Sequence, residues 1–156
     1  MFAETDFINF DDIKNWNVSN GKNFSHMFET IYDTYNTGLK IDLSKWDVSN
    51  CKDFSYMFHQ YHALYDFDFS TWDVGNGRNF AHMFDHGRLS DNFNPTNWDM
   101  SNAEDLSYMF ESCMFKKVDL SSWDVRNVKN FNGMFAGCTR YTGNLDKWFI
   151  SPEATM

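Results

Sequence analysis

One stretch of this chain is written again and again. "WNVSNGKNFSHMF" (16–28) returns as "WDVSNCKDFSYMF" (46–58), "WDVGNGRNFAHMF" (72–84), "WDMSNAEDLSYMF" (98–110) and "WDVRNVKNFNGMF" (123–135), and a truncated "WFIS" opens at Trp148. The 6 tryptophans of the chain all belong to these copies and stand 30, 26, 26, 25 and 25 residues apart, while Met-Phe follows Trp by 11 residues in every complete copy. A fixed period of this length belongs to repeat architectures, in which each unit is too small to bury its own apolar side chains and stability comes from unit on unit. The insertions fall between Met-Phe and the next Trp, as surface loops of a repeat protein should.

Within a copy, Phe54, Met57 and Phe58 stand at i, i+3 and i+4, the spacing of one face of a short helix. The position before is only Asn or Asp (Asn23, Asp53, Asn79, Asp105, Asn130), which predicts an N-cap for the first free amides. The stretches "KIDLSKW" (40–46), "DFDFSTW" (66–72) and "KVDLSSW" (117–123) alternate apolar and polar residues, the period of a half-buried strand, with Ile41 and Leu43 inward. The expected fold is therefore an α/β repeat solenoid of about six coils of 25–26 residues. Stacked parallel strands form one side and short helical turns the other. Residues 1–156 make a single domain, with 1–15 an N-terminal cap or partial coil, 16–147 the repeats and 148–156 a C-terminal partial coil or tail. The Asn four residues after each Trp (Asn20, Asn50, Asn76, Asn102, Asn127) is expected to form a ladder that satisfies backbone groups. Pro95, which cannot donate to a central ladder, and the insertion "ETIYDTYNTGLK" mark expected bulges or loops.

The residues "IDLSKWDVSNCKDFSYMF" and "VDLSSWDVRNVKNFNGMF" above all resemble the BspA-like leucine-rich-repeat family, whose units recur in bacterial surface proteins and mycoplasma lipoprotein-like repeats. The resemblance covers about residues 10–150. It implies a right-handed, leucine-rich-repeat-like solenoid used for adhesion or protein contacts rather than for chemistry. The chain departs from the pattern by placing Phe at the first helical core position in four copies and by showing no lipobox.

Charge narrows the partners. A formal charge of −9 and a pI near 4.8 disfavour a nucleic-acid backbone, which is bound through clustered Lys and Arg, and acidic membrane surfaces likewise. No apolar run reaches the roughly 18 residues of a spanning helix, so no membrane insertion is expected. "MFAETDFINFDD" lacks the basic and apolar segments of a secretory signal, so surface display rests on the family resemblance, and a virion or intracellular location stands beside it. The 3 cysteines cannot form a closed disulfide framework. Cys113 and Cys138 occupy equivalent places in adjacent copies and read as buried thiols acting as small apolar residues, with a disulfide or metal pair as the alternative.

Two stripes are candidate binding faces. Asp42, Asp68, Asn94, Asp119 and Asn144, flanked by Ser44, Ser70, Thr96 and Ser121, form an acidic, hydroxyl-rich row suited to a basic or sugar-bearing partner. At the roughly 4.8 Å spacing of stacked strands, their carboxylates would repel one another. The second row, His26, Tyr56, His82, Tyr108 and Gly133, alternates His and Tyr. Such side chains bury large areas in protein contacts, and protonation of His makes contacts pH-sensitive. Tyr32, Tyr35, Tyr61, His62 and Tyr65 in the variable segments are a third candidate, since loops on a rigid scaffold are common recognition sites.

No acid–base pair, nucleophile with a base, or Gly-rich phosphate loop is recognisable, and no catalytic, cofactor or metal-ligating residue is assigned. The expected function is non-enzymatic, a binding or scaffold module contacting a protein, itself or a glycan. The alternative is a structural subunit of a virus particle or other large assembly. "DKWFISPEATM" would expose Trp148, Phe149 and Ile150 unless the last coil folds back or docks.

Overall fold

The structure, a computed structural model, describes residues 12–29, 42–61, 68–89, 93–115 and 118–156. The copies stack as coils, counted here from Trp16, Trp46, Trp72, Trp98, Trp123 and Trp148. They are joined by single-residue parallel bridges, Asn23 to Asp53, Asp53 to Asn79, Asn79 to Asp105, Asp105 to Asn130 and Asn130 to Thr155.

The expected stack of parallel strands faced by short helices does not form. Among the described residues the only helical element is a 3-10 turn at Ile13–Asn15, and the only ladder pairs are these isolated bridges. Two local causes account for this. First, the Asp-x-Ser pattern that alternates like a strand is a turn: the Asp42 carboxylate accepts from the Ser44 amide at 3.0 Å and the Ser44 hydroxyl at 2.6 Å, and Trp46 N donates to Leu43 O at 3.0 Å. This is an Asx turn, in which a side chain stands in for a backbone acceptor. Each full coil makes three, in coil two at Asp47, Asp53 and Asp68 and in coil four at Asp99, Asp105 and Asp119.

Second, the i, i+3, i+4 spacing of Phe54, Met57 and Phe58 is not helical. Tyr56 and Gln60 both lie in the left-handed region, at φ 57° and 54°. The amides then divide by parity. Phe54, Tyr56, Phe58 and Gln60 donate across to Asn79, Ala81, Met83 and Asp85 of the next coil at 2.8–2.9 Å, while Met57, His59 and Tyr61 close turns within the coil at 3.1–3.2 Å. Ser55 N goes to the Asp53 side chain at 3.0 Å. Every amide from 54 to 61 is thus satisfied without a helix, which answers where the segment's hydrogen bonds go. The expected N-cap is half right: Asn23, Asp53, Asn79, Asp105 and Asn130 do accept an amide two residues on, but they open a turn rather than a helix.

The core is one cluster of side chains repeated coil upon coil. Phe28, Phe58, Phe84, Phe110 and Phe135 stack face to face at 5.6–5.8 Å between centroids. Each Trp ring is tied backwards: Nε1 of Trp46, Trp72, Trp98, Trp123 and Trp148 donates to the carbonyl of Ile13, Leu43, Phe69, Pro95 and Leu120 respectively, at 2.8–3.2 Å. A buried indole needs such a partner. Of the expected Asn ladder, Asn50, Asn76, Asn102 and Asn127 donate from Nδ2 to Ser19, Ser49, Gly75 and Ser101 carbonyls at 2.7–2.8 Å, and Asn20, in the first coil, has no preceding copy to donate to.

Pro95 does not break the stack. It fills the buried position of Leu43 and Leu120, whose amides also donate to nothing among the described residues, and its carbonyl receives Trp98 N and Trp123 Nε1. Trp148 docks on Trp123 with centroids 6.3 Å apart and is half-buried, whereas Phe149 stays 66% exposed. Cys51, Cys113 and Cys138 are free thiols, and Cys113 and Cys138 each face a carbonyl of the preceding coil, Phe84 O and Phe110 O. The insertion with Tyr32 and Tyr35, as well as Ile41, His62 and Tyr65, lies outside the described residues.

Candidate functional site

The left-handed positions set the candidate site. His26, Tyr56, His82, Tyr108 and Gly133 share one register position, at φ 57°, 57°, 55°, 55° and 61°. The positive φ turns each side chain onto its neighbour in the next coil. His26 stacks on Tyr56 at 4.7 Å, Tyr56 on His82 at 4.4 Å and His82 on Tyr108 at 4.7 Å, with planes within 14° of parallel. The row expected from the sequence is therefore a continuous ring stack across four coils, exposed at His26 and half-buried at Tyr56, His82 and Tyr108. Burial, aided by the nearby Asp85, Glu29 and Asp105 carboxylates, pushes the Tyr56 hydroxyl above its ordinary range.

Three residues further on runs a second column that the sequence reading missed: Glu29, His59, Asp85 and Glu111. His26 Nδ1 meets Glu29 Oε2 at 2.6 Å, and His59 Nδ1 meets Glu29 Oε1 at 3.2 Å. The other His59 nitrogen, Nε2, lies 3.5 Å from Asp85 Oδ2. That same oxygen accepts from His82 Nδ1 at 2.8 Å, and Asp85 Oδ1 accepts from His86 Nδ1. Asp85 is 3% exposed, a buried carboxylate at the meeting of three imidazoles. Burial of such a group is costly unless it is paired. His86 sits at the second left-handed position of its coil, equivalent to Gly137. The signal for this column was present in the aligned copies, where the position after Met-Phe reads Glu, His, Asp, Glu.

The acidic stripe also has a structural role. Asp42, Asp68, Asn94 and Asp119 are all exposed at equivalent positions, but each side chain is committed to its own Asx turn with Ser44, Ser70, Thr96 and Ser121. Hydrogen bonds from those serines hold the Asp42, Asp68 and Asp119 carboxyls below the usual range. At the end of the stripe, Asp119 and Asn144 line a cavity of about 530 Å³ that also includes Lys147. Tyr61, expected in a recognition loop, is instead 1% exposed and packs edge-on against Phe58. A further column of Lys22, Lys52, Arg78, Glu104 and Lys129 crosses the outer surface, and Glu104 bridges Arg78 and Lys129 at 2.6 Å each. These pairs are exposed and screened, and contribute little to stability.

Among the described residues no helix is long and apolar enough to cross a membrane. No curated protein and no solved structure matches the chain. One family model does, over residues 1–113 and 87–156, so that its matches span the chain from end to end: the protein belongs to the family described as Mycoplasma protein of unknown function, DUF285.

Proposed function

We propose that this chain is a non-enzymatic binding module that contacts a protein partner through the His26, Tyr56, His82 and Tyr108 row. One observation carries the reading. A ring occupies the left-handed position in four coils, although glycine, as at Gly133, would take that backbone without strain. Side chains that stack into a ladder of alternating imidazole and phenol edges offer apolar area and hydrogen-bonding groups at low entropic cost. The resemblance of the repeats to BspA-like surface proteins supports an adhesive role. The acidic stripe, tied up in its own turns, is the weaker face for a basic protein or a glycan.

The test is site-specific photocrosslinking. A benzophenone side chain at Tyr56 or Tyr108 should label one discrete partner from an extract of the protein's native cells or host, and the same group at Ser122 should not. Equal labelling from both faces would sink the assignment of the row.

The assembly reading is favoured by a different observation. At one edge of the stack the amides of Gly133, Phe135 and Gly137 find no acceptor among the described residues, and at the other the carbonyls of Ser25 and Met27 find no donor. These are the groups that join successive coils elsewhere, in matching register, and an unpaired row of this kind templates further pairing. Light scattering across concentration separates a chain that stacks on a second copy from one that remains a monomer.

A further inference from the structure

We propose that His59, Asp85 and His86 bind a divalent transition-metal ion, zinc being the ion whose chemistry the donors fit best. Two imidazoles and one carboxylate are a borderline donor set that suits zinc and its neighbours rather than calcium or magnesium. One ligand atom from each residue lies within 4.8 Å of the others. His59 Nε2 and Asp85 Oδ2 are 3.5 Å apart. Two donors of a tetrahedral site with bonds near 2.0–2.1 Å stand about 3.3 Å apart, so this edge of the polyhedron already exists.

The surroundings are those of a metal site as well. Glu29 holds the far nitrogen of His59 at 3.2 Å, the carboxylate–histidine arrangement that fixes a ligand ring and presents Nε2. His82 Nδ1 donates to Asp85 Oδ2 at 2.8 Å and orients the carboxylate in turn. Asp85 is buried, with its side chain 4% exposed, while the His86 ring is 49% exposed and leaves one side of the cluster open to water. Water would complete four-coordination there.

His59 has a carboxylate oxygen beside each of its nitrogens, and the 3.5 Å separation of Nε2 from Asp85 Oδ2 is longer than a normal hydrogen bond. An ion held by Nε2 and the carboxylate fits that gap. His59 belongs to coil two and Asp85 and His86 to coil three, so the ion also clamps two coils together. A neighbouring group, His82, Asp85 and Glu111, shares Asp85 and is the competing assignment. It sets two carboxylates against one imidazole, and that imidazole is the one that orients Asp85, which makes it the poorer zinc site.

The experiment uses the full chain without a histidine tag, stripped by chelator. Zinc is titrated by calorimetry, and cobalt(II) by its visible bands, which report coordination by imidazole and carboxylate. The expected result is one ion per chain at micromolar affinity, weakened at least about tenfold in His59→Ala and in His86→Gln but unchanged in Ser122→Ala. Zinc should also raise the melting temperature of the parent and not of His86→Gln, an exposed replacement that spares the fold. Absence of binding by the parent overturns the proposal, as does equal affinity in His86→Gln. Loss in Glu111→Gln with retention in His59→Ala would move the ion to the competing group and overturn the set named here.

Discussion

The ring of Tyr108 lies over Gly133: a Cβ built on Gly133 would run into Cε1 and Cδ1 of that ring, and Gly133 itself sits at φ 61°. The ring stack that starts at His26 ends because the fifth copy has no side chain to continue it. Gly133→Ala should therefore cost roughly 1–2 kcal/mol, from the left-handed backbone and the displaced Tyr108. Gly133→His brings the same backbone cost but adds a stacked pair worth about 0.5–1.5 kcal/mol. Urea unfolding should rank the glycine parent and the His variant close together with Ala below both; an Ala variant as stable as His would contradict the stack as an energetic unit.

The tryptophan ladder should weaken toward the end of the stack. Trp98 is 3% exposed, stacks on Trp123 at 6.2 Å and donates to Phe69 O at 3.0 Å. Trp98→Ala is expected to cost roughly 3–5 kcal/mol. Trp148→Ala removes a half-buried ring with a neighbour on one side only and should cost clearly less. Denaturation midpoints for the pair decide it, and equal losses would mean that the last coil is as well covered as the fourth.

Acid should loosen the turns. The Asp42, Asp68 and Asp119 carboxyls are held below their ordinary 3.8, chiefly by the side-chain and backbone hydrogen bonds of Ser44, Ser70 and Ser121. A depressed folded value contributes stability that is fully present above the unfolded value and is lost as pH falls through the folded one. The loss should therefore begin below about pH 4. Replacing all three by Asn keeps the turn, as Asn94 demonstrates with Thr96 N at 3.2 Å, and removes their titration. Near-unchanged stability at pH 7 and an acid midpoint shifted downward are expected by circular dichroism; a large loss at pH 7 would show that the charge, not the turn, matters.

Thiol reactivity should follow burial. Desolvation pushes the Cys51 thiol up to about 11 and the Cys113 thiol well above its ordinary range, while the half-buried Cys138 rises for the same reason. The thiolate is the reactive form. With a disulfide reagent at pH 8, Cys138 should react first, and Cys51 and Cys113 only as the chain unfolds. Prompt modification of Cys113 would place it nearer the surface than this packing allows.

The amino-acid sequence by itself determined the repeat. The Trp and Met-Phe spacing, the Asn ladder and the row of His and Tyr follow from register alone, because equivalent residues in a stack must meet. Secondary structure was not legible in the same way. Phe54, Met57 and Phe58 satisfy a helical spacing, and Asp42, Leu43 and Ser44 an alternating one, yet neither spacing records where an amide proton goes. Only the neighbouring coil supplies Asn79, Ala81 and Met83 carbonyls to draw Phe54, Tyr56 and Phe58 out of a helix. The two glycines of the fifth copy, Gly133 and Gly137, were the one written trace of the left-handed positions. The gathering of His59, His82 and His86 on Asp85 was likewise decided in three dimensions. A single coil holds part of the set, and stacking brings His59 from the coil before to the buried carboxylate.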